Sequence, residues 1–140
     1  MPRPTSFRLS EDLLERVDAE AAASGTSTTA LVTSLLDEGL KSRRFPGVVF
    51  RGGPSGRRAA LASGPDVWEI VRAIRRTPGK GEQRLKKVAE ETGLGSDQVR
   101  LAVNFYSVYP DEIDARIAAD ETAAAEIRVM IDRREQLLSG

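Results

Sequence analysis

A five-residue alternation, Thr5-Ser6-Phe7-Arg8-Leu9, stands alone near the start of this chain, and two helical patterns follow it at once. Phe7 and Leu9 share one face and Ser6 and Arg8 the other, the period of a strand. A lone strand leaves donors and acceptors unpaired on both edges, and two helices alone supply only a thin core. The spacing therefore predicts a module, residues 1–44, that folds by pairing its strand with the strand of a second copy. The outer face of that ribbon carries Ser6 and Arg8 twice, while Phe7 and Leu9 turn to the core.

Ser10 has the chemistry of a helix N-cap, with Glu11 and Asp12 in the first turn where the helix dipole favours acids. Leu13, Leu14, Val17 and Ala21 follow at helical spacing, and Ser24-Gly25 ends the helix. Ser27 caps a second helix with Leu31, Val32, Leu35, Leu36 and Leu40 on one face, weakened at Gly39 and stopped by Pro46.

Residues 45–140 have another texture. Gly47–Arg51 and Arg57–Leu61 read as the two strands of a hairpin across the turn-rich Gly52-Gly53-Pro54-Ser55-Gly56. Asp66 caps a predicted helix through Trp68, Ile70, Val71 and Ile74 to about Arg76, with Trp68 in the core, and Thr77–Gly81 reads as a polar, flexible linker. Leu85, Val88 and Ala89 mark a helix that closes at Gly93, and Ser96 caps the next, which carries Val99, Ala102, Val103, Phe105 and Tyr106. After Pro110 the pattern stays helical to Leu138, as one helix or as two meeting near Asp120.

Ala89, Gly93, Leu94 and Val99 have helix-turn-helix spacing, which leaves Ser96, Asp97, Gln98, Arg100, Leu101 and Asn104 as the outer set of the second helix. The fold class is thus mainly α, with a small β-hairpin.

Composition narrows the chemistry. The chain has no cysteine and no histidine, which removes disulfides, thiolate nucleophiles, the commonest metal ligand and the commonest general base. We expect no enzyme, no catalytic or metal site and no cofactor. No apolar run approaches a membrane span and no signal-peptide core opens the chain, so a cytoplasmic protein is expected. The formal net charge of zero conceals segregation. Lys/Arg outnumber Asp/Glu nine to seven over residues 1–58 and eight to six over 59–110, and are outnumbered four to eight over 111–140.

Ser6-Phe7-Arg8-Leu9-Ser10, Leu13-Leu14, Val17, Gly25-Thr26-Ser27 and the Leu-rich second helix together resemble the ribbon-helix-helix family of CopG-, Arc- and MetJ-like repressors. The resemblance covers the first third of the chain and implies an intertwined dimer on double-stranded operator DNA. It places Ser6 and Arg8 on base edges, where arginine donates two hydrogen bonds to guanine, and Arg3 beside the groove. Ser27, Thr28 and Thr29, at the start of the second helix, would meet a phosphate. Pro4 and Ser6 make this a thin reading set, which implies several dimers on adjacent sites.

Residues 45–120, with Phe45–Arg51, Gly56–Leu61, Gly64–Glu69 and the later helix-turn-helix, are similar to a winged-helix-like domain of actinobacterial antitoxins encoded beside PIN-like ribonuclease toxins. That similarity makes Arg57, Arg58, Gln98, Arg100 and Asn104 a second nucleic-acid or partner surface. It also offers the acidic C-terminal helix, with Glu121, Glu126, Asp132 and Glu135, to a basic toxin cleft. The combined expectation is a homodimeric or higher-order antitoxin that represses its own operon and neutralises a ribonuclease by direct binding. A stand-alone repressor without a toxin, or a scaffolding dimer, would carry the same sequence features.

Overall fold

The computed structural model describes residues 2–52 and 56–140. The chain divides into two compact units, Met1–Arg44 and Phe45–Gly140. In the first unit α1 (Glu11–Ala23) begins where Ser10 Oγ accepts the Leu13 amide at 3.2 Å. Glu11 and Asp12 stand at the positive end of its dipole. It ends beside Gly25, whose φ of +67° is a left-handed turn that a Cβ would oppose. The second helix, α2 (Thr28–Arg44), is capped alike, with Ser27 Oγ accepting the Ala30 amide at 3.1 Å.

The two helices pack together, yet among the described residues of this unit only Val17 and Ala21 are buried. Residues 2–10 run without strand hydrogen bonds. Phe7 and Leu9, expected in the core, are 77% and 42% exposed. One chain offers this edge no mate, so no ribbon forms within it.

The second unit opens with β1 (Val48–Arg51) and β2 (Arg58–Leu61), antiparallel with Val48 opposite Leu61 and Arg51 opposite Arg58. Gly53, Pro54 and Ser55 of the predicted turn lie outside the described residues. Four helices follow: α3 (Val67–Arg76), α4 (Gly81–Thr92), α5 (Ser96–Val108) and α6 (Pro110–Ser139). The architecture is mainly α with one small hairpin.

Helix α3 is the hub, touching β2 and each of the other three helices. Val67, Ile70, Val88, Val99, Ala102 and Phe105 are almost completely enclosed there. Phe105 meets Phe45 edge-on at 5.5 Å and Tyr109 at 5.2 Å, arrangements that aromatic quadrupoles favour. Trp68 is buried in this core, as its spacing predicts.

Four local expectations need correction. Asp66 precedes α3 but makes no cap with its side chain; the carboxylate turns to Arg58 and Trp68 instead. Thr77 is buried and its hydroxyl donates to the Ala73 carbonyl at 2.7 Å, so it finishes α3 rather than opening a polar linker. Gly95, not Ser96, is the N-cap of α5, and its amide is satisfied by Gln98 Oε1 at 2.9 Å. Leu101 packs on the core instead of joining the outer set of α5. Of the two alternatives for the C-terminal pattern, the structure has the single helix: α6 runs unbroken through Asp120. No helix of the described residues is long and apolar enough to cross a membrane.

Candidate nucleic-acid interface

In the first unit Arg3, Ser6 and Arg8 are exposed on the extended segment that leads into α1. The Ser10 cap fixes where that segment meets the helix. Phe7, Arg8 and Leu9 line a groove of about 480 Å³ with Val32 and Leu36 of α2. Its lining is largely apolar, so this side of the segment is a packing surface, while Ser6 and the Arg8 guanidinium supply polar groups.

The α2 N-terminus holds Ser27, Thr28 and Thr29 close together, but their hydroxyls are not equivalent. Ser27 Oγ is engaged as the cap. Thr28 Oγ1 donates to Asp18 Oδ1 at 2.8 Å, and Thr29 is exposed, its carbonyl accepting the Thr33 hydroxyl at 2.9 Å. Asp18 is the residue that sequence reasoning missed. Its carboxylate sits where the partial positive charge of the α2 N-terminus would draw an anion, and it competes with a phosphate for that position. Spacing gives no sign of this, because the pair joins two helices across a turn.

The residues offered as a second surface fall in two places in the second unit. Arg57 and Arg58 of the hairpin line a cleft of about 320 Å³ with Phe50, Trp68, Glu112 and Arg116. Arg58 Nε donates to Asp66 Oδ2 at 2.7 Å, and the same oxygen accepts Trp68 Nε1 at 3.0 Å. Arg57 Nη2 donates to the Phe50 carbonyl at 3.0 Å. Arg72 and Arg116 lie over the Trp68 ring, at 4.6 and 5.2 Å from its centre, a cation–π arrangement that uses arginine to pack an indole. This arginine-rich cleft is assembled from the hairpin, α3 and α6. Sequence spacing marks Trp68 as core and singles out Arg57 and Arg58, but it does not bring Arg72 and Arg116 to the indole.

Gln98, Arg100 and Asn104 are on α5, away from that cleft's lining. Gln98 bridges the Gly95 amide and Ser63 Oγ. Arg100 is held by Glu82 at 2.7 Å and by Asp97 at 3.3 Å, and its pKa is raised chiefly by the hydrogen bond to Glu82. Asn104 is exposed. The α4–Gly93–α5 corner has helix-turn-helix order, with Gly93 at φ +75°. Glu82 and Asp97 neutralise Arg100 there, which weakens its appeal to a phosphate backbone.

Comparison of the chain with protein-family models, with curated proteins and with solved structures finds no match.

Proposed function

We propose that the protein is a homodimeric, sequence-specific DNA-binding antitoxin that represses its own operon. The first unit reads the operator and the second binds a ribonuclease-type toxin. The observation that carries the DNA-binding half is the apolar surface that the first unit leaves uncovered. Phe7, Leu9, Leu13, Leu14, Leu36 and Leu40 leave an apolar side uncovered by their own chain. Ser6 and Arg8 alternate with Phe7 and Leu9 on the segment that borders it. Antiparallel pairing with a second copy would cover Phe7 and Leu9 and satisfy the free edge in one step. It also leaves a two-stranded ribbon of the width the major groove admits, with Ser6 and Arg8 outward.

The amides at the start of α2 then clamp the backbone on either side. Asp18 tempers that clamp, so the reading puts more of the weight on Arg8. The toxin-binding half is supported by the sequence resemblance of the second unit and by its possession of a core of its own.

Arg8→Ala should weaken operator binding in a mobility-shift titration by about 1–3 kcal/mol, the scale of one bidentate base contact, with the dimer intact by sedimentation. Unchanged affinity removes Arg8 from the reading set, and a full-length chain that sediments as a folded monomer defeats the ribbon. For the toxin, the product of the adjacent reading frame should co-purify with this protein and lose its RNA cleavage. An uninhibited neighbour leaves a stand-alone repressor.

A further inference from the structure

We infer that the projecting half of α6 is a second self-association site, where it pairs antiparallel with α6 of another copy. Helix α6 is anchored to the second unit by Ile113 and Ile117, which are buried, and by the Arg72–Asp120 ion pair. From residue 121 to the end every residue is exposed. Nineteen helical residues beyond Asp120 span roughly 28 Å at 1.5 Å per residue.

The face that needs covering is well defined. At 100° per residue, Ala123, Ala124, Ile127, Met130, Ile131 and the Leu137-Leu138 pair fall within one arc of roughly 140°, interrupted only by Arg134. Ile127, Met130 and Leu137 are 53%, 63% and 81% exposed. The opposite side carries Glu121, Arg128 and Asp132, with Val129 as its one large apolar residue, 48% exposed.

Two features select a second copy as the occupant. Along one border of the apolar arc run Glu121, Arg128 and Glu135, and along the other Glu126 and Arg133. Both borders alternate in sign every seven residues, so each is complementary to itself. A uniformly basic cleft would meet an arginine on each border, a like-charge cost.

Size then selects the direction. With a twofold axis near Met130, antiparallel pairing sets Ala123 and Ala124 against Leu137 and Leu138 of the second copy. Small against large fills the seam evenly. On the same axis Arg128 comes within two residues, about 3 Å along the helix, of Glu135 of the second copy, and Glu126 equally near Arg133. Parallel pairing would instead oppose Arg134 to Arg134, stack leucines on leucines and leave alanines facing alanines.

This site is independent of the ribbon, so one chain carries two self-complementary surfaces. If the two twofold axes differ, they link ribbon dimers into a larger closed or open assembly.

The chain has no cysteine, so single introduced thiols report cleanly. Full-length Ala124→Cys and Leu137→Cys, each carrying a distinguishable tag, are treated with a short bismaleimide alone and after mixing and re-equilibration. The expected result is a heterodimeric cross-link in the mixture, little from either variant alone, and a homodimeric one from Met130→Cys. Adding Ile131→Lys to the cysteine variants should abolish all of these while the Arg8-dependent DNA shift persists. Cross-linking of Ala124→Cys to itself would overturn the antiparallel geometry. Absence of any cross-link, or its appearance only with the neighbouring gene's product in place of a second copy, would overturn self-association. Failure of the DNA reading instead shows as loss of Arg8 dependence with these cross-links unchanged.

Discussion

The two units carry similar apolar helical patterns and do opposite things with them. In Phe45–Gly140 the pattern closes on itself: Phe105, Leu61, Ile70, Val48, Val67, Val88 and Val99 are almost fully enclosed. In Met1–Arg44 only Val17 and Ala21 are buried among the described residues, and Leu36 and Leu40 remain 56% and 68% exposed. The difference lies in topology. Helix α3 packs against β2 and three helices, whereas within the first unit α1 and α2 pack on each other beside an unpaired segment. Ordering more than forty residues costs far more than two small buried side chains return. On the reading proposed above, the core of the first unit belongs between chains. The outer half of α6 shares that condition, although it belongs to the second unit.

Leu36→Ala breaks or sharpens this contrast most strongly. If one chain were the whole structure, trimming a side chain this exposed would change stability by no more than about 0.5 kcal/mol. Buried in a dimer core, the same change should cost about 2–5 kcal/mol. Thermal unfolding at several protein concentrations separates the two outcomes. The transition of the first unit should rise with concentration and fall sharply in the variant. A concentration-independent transition that ignores Leu36→Ala would erase the distinction between the units.

Asp66→Ala probes the other side. Its carboxylate holds both Arg58 Nε and Trp68 Nε1 inside the second unit. Losing hydrogen bonds to a charged acceptor there should cost about 1.5–3 kcal/mol. Denaturant unfolding should show that loss without any dependence on concentration. A loss that tracks concentration would mean that the second unit, too, is completed by a partner.

What could be read from the sequence follows the same division. Both helices of the first unit, their serine caps and the Gly25 turn were legible because caps and periods act within a few residues. The hairpin, the helix order of the second unit and the burial of Trp68 were legible for that reason as well. The fate of side chains between distant elements was not. Asp66 has the spacing of a cap, but Arg58 and the indole outbid the helix for its carboxylate. Thr28 has the look of a phosphate ligand, yet its hydroxyl donates to the carboxylate of Asp18 on the preceding helix. Leu101 reads as an outer position of α5 until the core closes on it. The arginine-rich cleft around Trp68 needed three elements to meet, and no single window of sequence contains it.

The smallest expected effect is a pH dependence confined to the second unit. Arg75 Nη2 donates to Asp114 Oδ1 at 2.6 Å, and the Tyr106 hydroxyl donates to the same carboxylate at 3.0 Å. The hydrogen bond from Arg75 draws the Asp114 pKa below the ordinary carboxylate range; partial burial opposes this and the Tyr106 bond reinforces it. A carboxyl with a folded-state pKa below its unfolded value stabilises the fold above that unfolded value. The contribution is lost as pH falls through the folded-state pKa. Asp114→Asn should therefore flatten the acid limb of the second unit's stability below about pH 4, the ordinary aspartate range. The concentration-dependent transition of the first unit should stay where it is. Both side chains are about half exposed, which keeps the effect small and makes it shrink with added salt. An acid limb unchanged by the substitution would mean that solvent already screens the pair. A shift in the first unit's transition would mean that the two units melt as one, and the contrast between them would have to be redrawn.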